Sequence, residues 1–294
     1  MRETIVDRAY AKMLLPPRKE DGHKGDFGKL LVLGGSVGYT GAPYLAASAA
    51  VHSGCGLVYL GVPESIWAVE AQKCVSAMPF PLPETDGRLC LAALDKMQDK
   101  LKGCDVLALG PGLGRGKETE QLVHALLWQV KEPLVLDADG LNATAQLLAE
   151  GKPFPHPAGE LVVTPHPGEM ARLTGLSAAA LAADREGIAL LHAKAWDAVV
   201  VLKGARTVVA SPDGRVCVNP TGNPGLARGG SGDVLAGMLA ALLACGLPAY
   251  QAAACAVYLH GAAADRAAAK RGEYGMLPHD ILPELGALFA ENQR

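Results

Sequence analysis

The chain has 294 residues, half of them apolar and 19% charged, with 27 Lys and Arg against 30 Asp and Glu. A net charge of −3 leaves no basic surplus to hold a phosphodiester backbone or an anionic membrane, which argues against nucleic acid and membrane partners. Seven cysteines, an odd number with no C-x-x-C pair, in a chain too large to need disulfide staples, point to a reduced compartment and a soluble, cytoplasmic protein.

The first ten residues mix Arg2, Glu3, Asp7 and Arg8 and hold no apolar core of a secretory signal. Glu3 to Leu15 predicts a short helix and Pro16 to Lys24 a polar connector, so residues 1–24 read as an extension ahead of one domain over 25–294. Short, nearly continuous apolar runs then appear at Leu30–Leu33, Leu57–Val62, Val106–Leu109, Leu134–Leu136, Leu161–Thr164 and Ala198–Leu202. Most are followed by helical periodicity, as at Ala42–Ser53, Lys117–Val130, Leu141–Glu150 and Asp184–Trp196. Strands buried on both faces lose polar alternation, so the pattern predicts a mostly parallel sheet covered by helices, a three-layer α/β architecture. Thr207–Ser211 and Arg215–Asn219, joined by Pro212-Asp213-Gly214, predict a β-hairpin. The apolar run Val234–Leu247 has 14 residues, short of the roughly 20 a spanning helix needs, and predicts a buried helix, the first of three helical stretches that finish the chain.

Gly229-Gly230-Ser231-Gly232-Asp233 stands at the head of that helix. Glycines let consecutive N–H groups converge, and a helix N-terminus favours an anion, so the segment suits a phosphate with Asp233 placed to take a proton from an approaching hydroxyl. The alternative is that Ser231 and Asp233 only cap the helix. Gly34-Gly35-Ser36 and Gly110-Pro111-Gly112-Leu113-Gly114 each follow a strand, where α/β folds place ligands; each is either a ligand-facing loop or a tight turn, and together they favour a shared cleft. Asp137 and Asp139 either hold Mg²⁺ through water, or Asp139 or Asn142 only caps the next helix. Thr164-Pro165-His166-Pro167-Gly168-Glu169 brings an imidazole and a carboxylate to the same predicted edge. Lys203-Gly204-Ala205-Arg206-Thr207 offers two cations and a hydroxyl to a nucleotide phosphate tail, or is a solvated basic turn. No zinc-spaced His/Cys cluster, G-x-S-x-G or Walker A pattern occurs.

In order, Lys29 to Ser36, Gly110 to Gly114, Leu136 to Asp139, Thr164 to Glu169, Lys203-Gly204, and Gly222-Asn223-Pro224-Gly225 leading into Gly229 to Asp233 resemble the ribokinase-like superfamily, and within it the NAD(P)H-hydrate dehydratases. The likeness runs from about Gly25 to the end; related kinases carry Asn where this chain has His166. The resemblance implies a ribokinase-like α/β/α sandwich that restores NADH or NADPH from the 6-hydroxy hydrate, consuming ADP to AMP and phosphate, or ATP. It assigns Asp233 as the base, Ala42, Gly112, Gly114, His166 and Asp233 to the hydrate, and Lys203, Gly204, Ala205, Arg206 and Thr207 with Gly230, Ser231 and Gly232 to the nucleotide. It makes Glu169 the ligand of a Mg²⁺ water shell and implies a homotetramer. Arg228 departs from the Thr of many members, and residues 1–24 cannot hold the epimerase domain often fused to the family, so a separate epimerase chain is expected. The rivals are a ribokinase-like kinase of a sugar or vitamin precursor and a non-catalytic nucleotide sensor, the latter opposed by the presence of Asp233.

Overall fold

The computed structural model describes residues 4–5, 7–15, 18, 20–155 and 159–292. Its strands are β1 (Thr4–Ile5), β2 (Lys29–Leu33), β3 (Leu57–Pro63), β4 (Met78–Leu82), β5 (Glu84–Thr85), β6 (Arg88–Leu89), β7 (Val106–Leu109), β8 (Leu134–Leu136), β9 (Leu161–Val163), β10 (Val199–Leu202), β11 (Val208–Ala210) and β12 (Val216–Val218). Ten of them form one sheet in the order β1-β12-β11-β10-β9-β8-β7-β2-β3-β4, and β5 and β6 pair separately. Within the ten-stranded sheet, among the described residues, only β11 runs against its neighbours, because the 208–218 hairpin turns it back; β5 and β6 also pair antiparallel.

The pleat explains the unbroken apolar runs. Leu30 and Val32 of β2, and Val106 and Ala108 of β7, point into one core, while Leu31, Leu33, Leu107 and Leu109 point into the other. The first core is covered by Gly41–His52, Ser231–Ala244, Ala249–Arg271 and Ile281–Asn292; the second by Ala93–Lys102, Lys117–Gln129, Asp139–Ala149, Pro167–Thr174 and Arg185–Trp196. Both faces therefore exclude water, giving the three-layer α/β/α arrangement. Among the described residues no helix is long and apolar enough to cross a membrane.

The helix predicted over Glu3–Leu15 is corrected. Thr4 and Ile5 instead form a strand paired in parallel with β12, and the helix spans only Arg8–Leu14, capped by Asp7, whose Oδ1 accepts from Tyr10 N–H at 2.8 Å. Two β-branched residues beside an open sheet edge gain more from ladder pairing than from a helical turn. Glu3, Val6, Pro16, Pro17 and Lys19 of the predicted helix and connector lie outside the described residues.

Ser231–Ala244 is buried along nearly its whole length and packs closely on Gly41–His52. A Cβ on Gly237 would run into the Ala46 carbonyl oxygen. Gly237→Ala gains up to about 1 kcal/mol of helix propensity, but the obstacle is backbone that cannot rotate away, and overpacking costs about 1–3 kcal/mol. The variant is expected to unfold at lower denaturant than the wild type; an equal or higher midpoint would contradict this packing.

Candidate active site

The chain progresses outward in one direction from β2 to β3 and in the other from β7 to β10, so a crevice opens at the carboxyl ends of β2 and β7. Both glycine loops line it and are bonded together. Gly35 N–H donates to Pro111 O at 2.8 Å, and Ser36 Oγ donates to Gly112 O at 2.8 Å. A Cβ on Gly112 would stand 3.0 Å from that of Ala42, which puts these two predicted substrate contacts side by side. Gly110, at φ +133°, passes so near β8 that a Cβ there would overlap Asp137 O, and only glycine fits. Gly114 N–H completes the junction, donating to Asp139 Oδ2 at 2.9 Å.

The next loops along the edge supply the charges. Asp137, 2% exposed at its side chain, accepts at Oδ1 from Thr164 Oγ1 at 2.6 Å and from Lys203 Nζ at 2.8 Å. Lys203 Nζ also stands 3.7 Å from Glu169 Oε2. From the opposite core, the helix beginning at Ser231 brings its first turn to the same point: a Cβ on Gly232 would be 3.3 Å from Lys203 Nζ and 4.0 Å from Asp137 Oδ2. Between Asp137 and Asp139, Ala138 holds φ +49°, ψ −116°, a conformation costly for a residue with a Cβ. Strain there lets two aspartates one residue apart serve two loops.

Several ordinary capping roles can now be separated from chemistry. The helix carrying Asp233 starts at Ser231, three residues before the predicted Val234, with Gly230 as N-cap and no side-chain cap bond. Asp233 is thus no N-cap. Asp139 and Asn142 likewise do not cap the helix Asp139–Ala149; Asp139 bridges to Gly114 and accepts from Asn142 Nδ2. His166 does cap its helix, its Nδ1 accepting from Gly168 N–H at 3.0 Å and Glu169 N–H at 3.3 Å, while Glu169 Oε2 accepts from His166 N–H at 2.8 Å. With Nδ1 an acceptor, the ring proton belongs on Nε2, 3.3 Å from Glu169 Oε1.

Burial first, then the charges of Asp137, Asp139 and Glu169, push the Asp233 carboxyl up to about 7 against the pull of Lys203. Burial and Asp137 likewise push Glu169 up to about 7, again opposed by Lys203. Burial alone would lower the Lys203 ammonium, but Asp137, Glu169 and Asp233 outweigh it and raise it. His166 is lowered by burial and by the Lys203 and Arg172 charges, and so stays neutral. A carboxylate poised near neutrality beside an anion-favouring helix start can accept a proton from a neutral hydroxyl while phosphate charge is held nearby.

The predicted nucleotide loop is exposed at Gly204, Ala205 and Arg206 and runs out from Lys203. Its backbone is held by Arg185, which no sequence pattern singles out and which donates to Leu202 O, Lys203 O and Ala205 O at 2.9–3.1 Å. Thr207 Oγ1 donates to Gly204 O at 3.1 Å. His260 is equally silent in the sequence: buried against the Ser231 backbone, it is pushed down to about 4 by burial and underlies the anion loop as a neutral ring. Arg228 turns away to donate to Tyr274 O at 3.0 Å. Neither Arg185 nor His260 has a motif around it; only the crossing of helices over the loops reveals them.

Fold and site together define a ribokinase-like protein. A ribokinase-like superfamily protein of Enterococcus faecalis matches with a TM-score of 0.84 at 27% identity, over 99% of this chain and 96% of that one. The chain belongs to the NAD(P)H-hydrate dehydratase family, whose sequence profile matches residues 30–286. It is 49% identical over 279 residues to a bifunctional NAD(P)H-hydrate repair enzyme of Moorella thermoacetica, covering 95% of this chain and 52% of that protein. It is 40% identical over 268 residues to an ADP-dependent (S)-NAD(P)H-hydrate dehydratase of Neisseria meningitidis, covering 90% and 86%. The chain therefore spans about half the length of the bifunctional relatives it matches. An ADP/ATP-dependent NAD(P)H-hydrate dehydratase of Bacillus subtilis, co-crystallised with ATP and Mg²⁺, matches with a TM-score of 0.84 at 32% identity over 99% of both chains.

Proposed function

We propose that the protein restores NADH or NADPH from the 6-hydroxy hydrate, driven by ADP or ATP. The observation that carries this is the meeting of a glycine-rich helix start, Lys203 and the raised carboxyl of Asp233 at one point beside His166 and Glu169. Hydroxide leaves poorly, so the hydroxyl is first phosphorylated. As Asp233 takes the hydroxyl proton, the terminal phosphoryl group of the nucleotide passes to the oxygen, leaving AMP from ADP. The C6–O bond then breaks with its electron pair on phosphate, the ring nitrogen supplies electrons to C6, and loss of a proton from C5 forms the new double bond. The products are the reduced dinucleotide, inorganic phosphate and AMP. Gly230 to Gly232 and Lys203 hold phosphoryl oxygens, the 204–207 loop holds the nucleotide, and Ala42, Gly112, Gly114 and His166 face the hydrate.

Among the described residues no three His, Cys, Asp or Glu side chains converge to hold a metal ion directly. Asp137 and Glu169 are hard oxygen donors beside an ammonium that already balances part of their charge, which suits a hydrated Mg²⁺ held through its waters. When bound, the ion neutralises charge on the transferring group. The protein's own side chains and loops keep their roles as base, cradle and orienting groups. The reading also makes the protein a cytoplasmic homotetramer, supported by seven free cysteines and alanine-rich helices, and pairs it with an NAD(P)H-hydrate epimerase, since hydration at C6 gives two epimers.

The test is incubation of prepared hydrate with ADP or ATP and Mg²⁺, following the absorbance of the reduced nicotinamide. Recovery of absorbance with stoichiometric AMP from ADP is expected; no recovery with either nucleotide would sink the proposal. The ionised form of Asp233 does the work, so kcat/KM for hydrate should fall about tenfold per pH unit below the acid limb. That limb lies near 7 and belongs to the coupled cluster. A flat profile from about pH 5 to 8 would contradict a base of this kind.

A further inference from the structure

A cleft of about 260 Å³ opens beside the charged centre, between the helices Lys117–Gln129 and Asp139–Ala149. A chain of hydrogen bonds runs along it. Gly114 N–H donates to Asp139 Oδ2 at 2.9 Å, Asn142 Nδ2 to Asp139 Oδ1 at 3.1 Å, and Arg172 Nε to Asn142 Oδ1 at 3.0 Å. This chain ties together the loop after β7, the loop after β8 and the helix after β9, the segments that also build the catalytic centre. Asp139 is shared between the two, lining the cleft while its charge acts on Asp233. Arg172 also lines the cleft, and its charge reaches His166 and Glu169. None of the chemistry above uses the far side of Asp139.

The lining is divided. Arg115 and Arg172 offer guanidinium forks, Glu120 and Gln146 offer acceptors and an amide, and Val123 and Ala143 form an apolar bed. A simple anion would meet the Glu120 carboxylate, and an apolar ligand would strip water from two arginines without replacing it. A nucleoside phosphate satisfies all three parts: phosphate on the guanidinium groups, hydroxyls or an amino group on Glu120 and Gln146, and a ring on the small apolar side chains. The volume, just below the usual range of about 300–1,000 Å³ for small-molecule sites, suits half a dinucleotide better than the whole.

We infer that this cleft binds the adenylate half of the dinucleotide substrate while the reacting ring lies between His166 and Asp233. The inference rests on the proposed hydrate repair activity. The co-substrate nucleotide lies toward the loop after β10, beyond Asp137 from the cleft, so the two adenylates do not compete.

Turnover at saturating ADP and Mg²⁺ on three hydrates tests it: those of NADH, of NADPH and of reduced nicotinamide mononucleotide, which lacks the adenylate. Wild-type kcat/KM should be about tenfold or more lower on the mononucleotide, the effect of one or two charge-assisted hydrogen bonds. Arg115→Ala, alone and with Gln146→Ala, should lower kcat/KM on the dinucleotides about tenfold and leave the mononucleotide unchanged, with Arg115→Lys recovering part of the loss. A loss confined to the NADPH hydrate assigns the bound phosphate to the 2′ position, and a loss on both dinucleotides assigns it to the pyrophosphate. Equal wild-type kcat/KM on mononucleotide and dinucleotide, or variants that depress all three alike, would overturn the inference. If the wild type repairs no hydrate at all, the catalytic proposal is what fails, and nicotinamide fluorescence then decides the cleft. Tighter binding of NADH than of the reduced mononucleotide, lost in Arg115→Ala, supports it, and equal binding overturns it.

Discussion

Asp233→Asn should lower hydrate-dependent turnover by at least about 10²-fold, the lower end of a general-base contribution. The amide matches the carboxylate in volume, and no cap bond is lost because Gly230 already occupies the N-cap position. Removing one negative charge from a group that includes Asp137, Asp139 and Glu169 relieves repulsion, so the variant should be at least as stable as the wild type at neutral pH. Nucleotide binding should persist, since Lys203 and the helix start remain. The loss belongs in kcat more than in either Michaelis constant, because the proton moves only on the way to the transition state. A folded variant that repairs hydrate at nearly the wild-type rate would remove Asp233 from the mechanism.

Lys203→Met should be damaging in a different way. The ammonium, 17% exposed, is the cation against which the buried Asp137 and Glu169 are balanced. Removing one member of such a buried pair typically costs about 3–5 kcal/mol, and the methionine stem restores packing but no charge. Without it the Glu169 and Asp233 carboxyls, both already raised to about 7, rise further. A carboxyl raised in the folded state contributes stability at low pH that is lost as pH climbs through its folded value, so the deficit should be larger at pH 8 than at pH 6. Turnover should fall, and the nucleotide Michaelis constant should rise. A variant as stable as the wild type at both pH values, with an unchanged nucleotide Michaelis constant, would deny Lys203 both roles.

Much of the fold is legible in the sequence because its strands are buried on both faces. Val106–Leu109 and Leu134–Leu136 are continuous apolar runs bounded by Asp, Gly or Pro, and they form strands over those residues. Met78–Leu82 is not legible: two prolines in five residues argue against a strand, and they are tolerated only because β4 lies at the sheet edge. Thr4–Ile5 is too short to show a period and acquires its structure from β12. At the site, the loops holding Asp137, His166, Lys203 and Asp233 announce themselves by following strands or opening a helix. Their partners do not. Spacing offers Lys203 to a phosphate tail but does not show that its ammonium also pairs with Asp137, brought from 66 residues away by the sheet. The capping bonds that fix the His166 tautomer also emerge only once Gly168 and Glu169 are in a helical turn.

In the proposed mechanism, phosphorylation assisted by Asp233 makes the hydroxyl oxygen leave as part of phosphate, and that oxygen can be followed. Hydrate prepared in ¹⁸O-labelled water carries the label at its C6 hydroxyl, and mass analysis of the products in unlabelled buffer shows where it goes. The mechanism predicts one labelled oxygen in each inorganic phosphate released, in step with recovery of reduced nicotinamide. Unlabelled phosphate, with the label appearing in water while the dinucleotide is repaired, would contradict it.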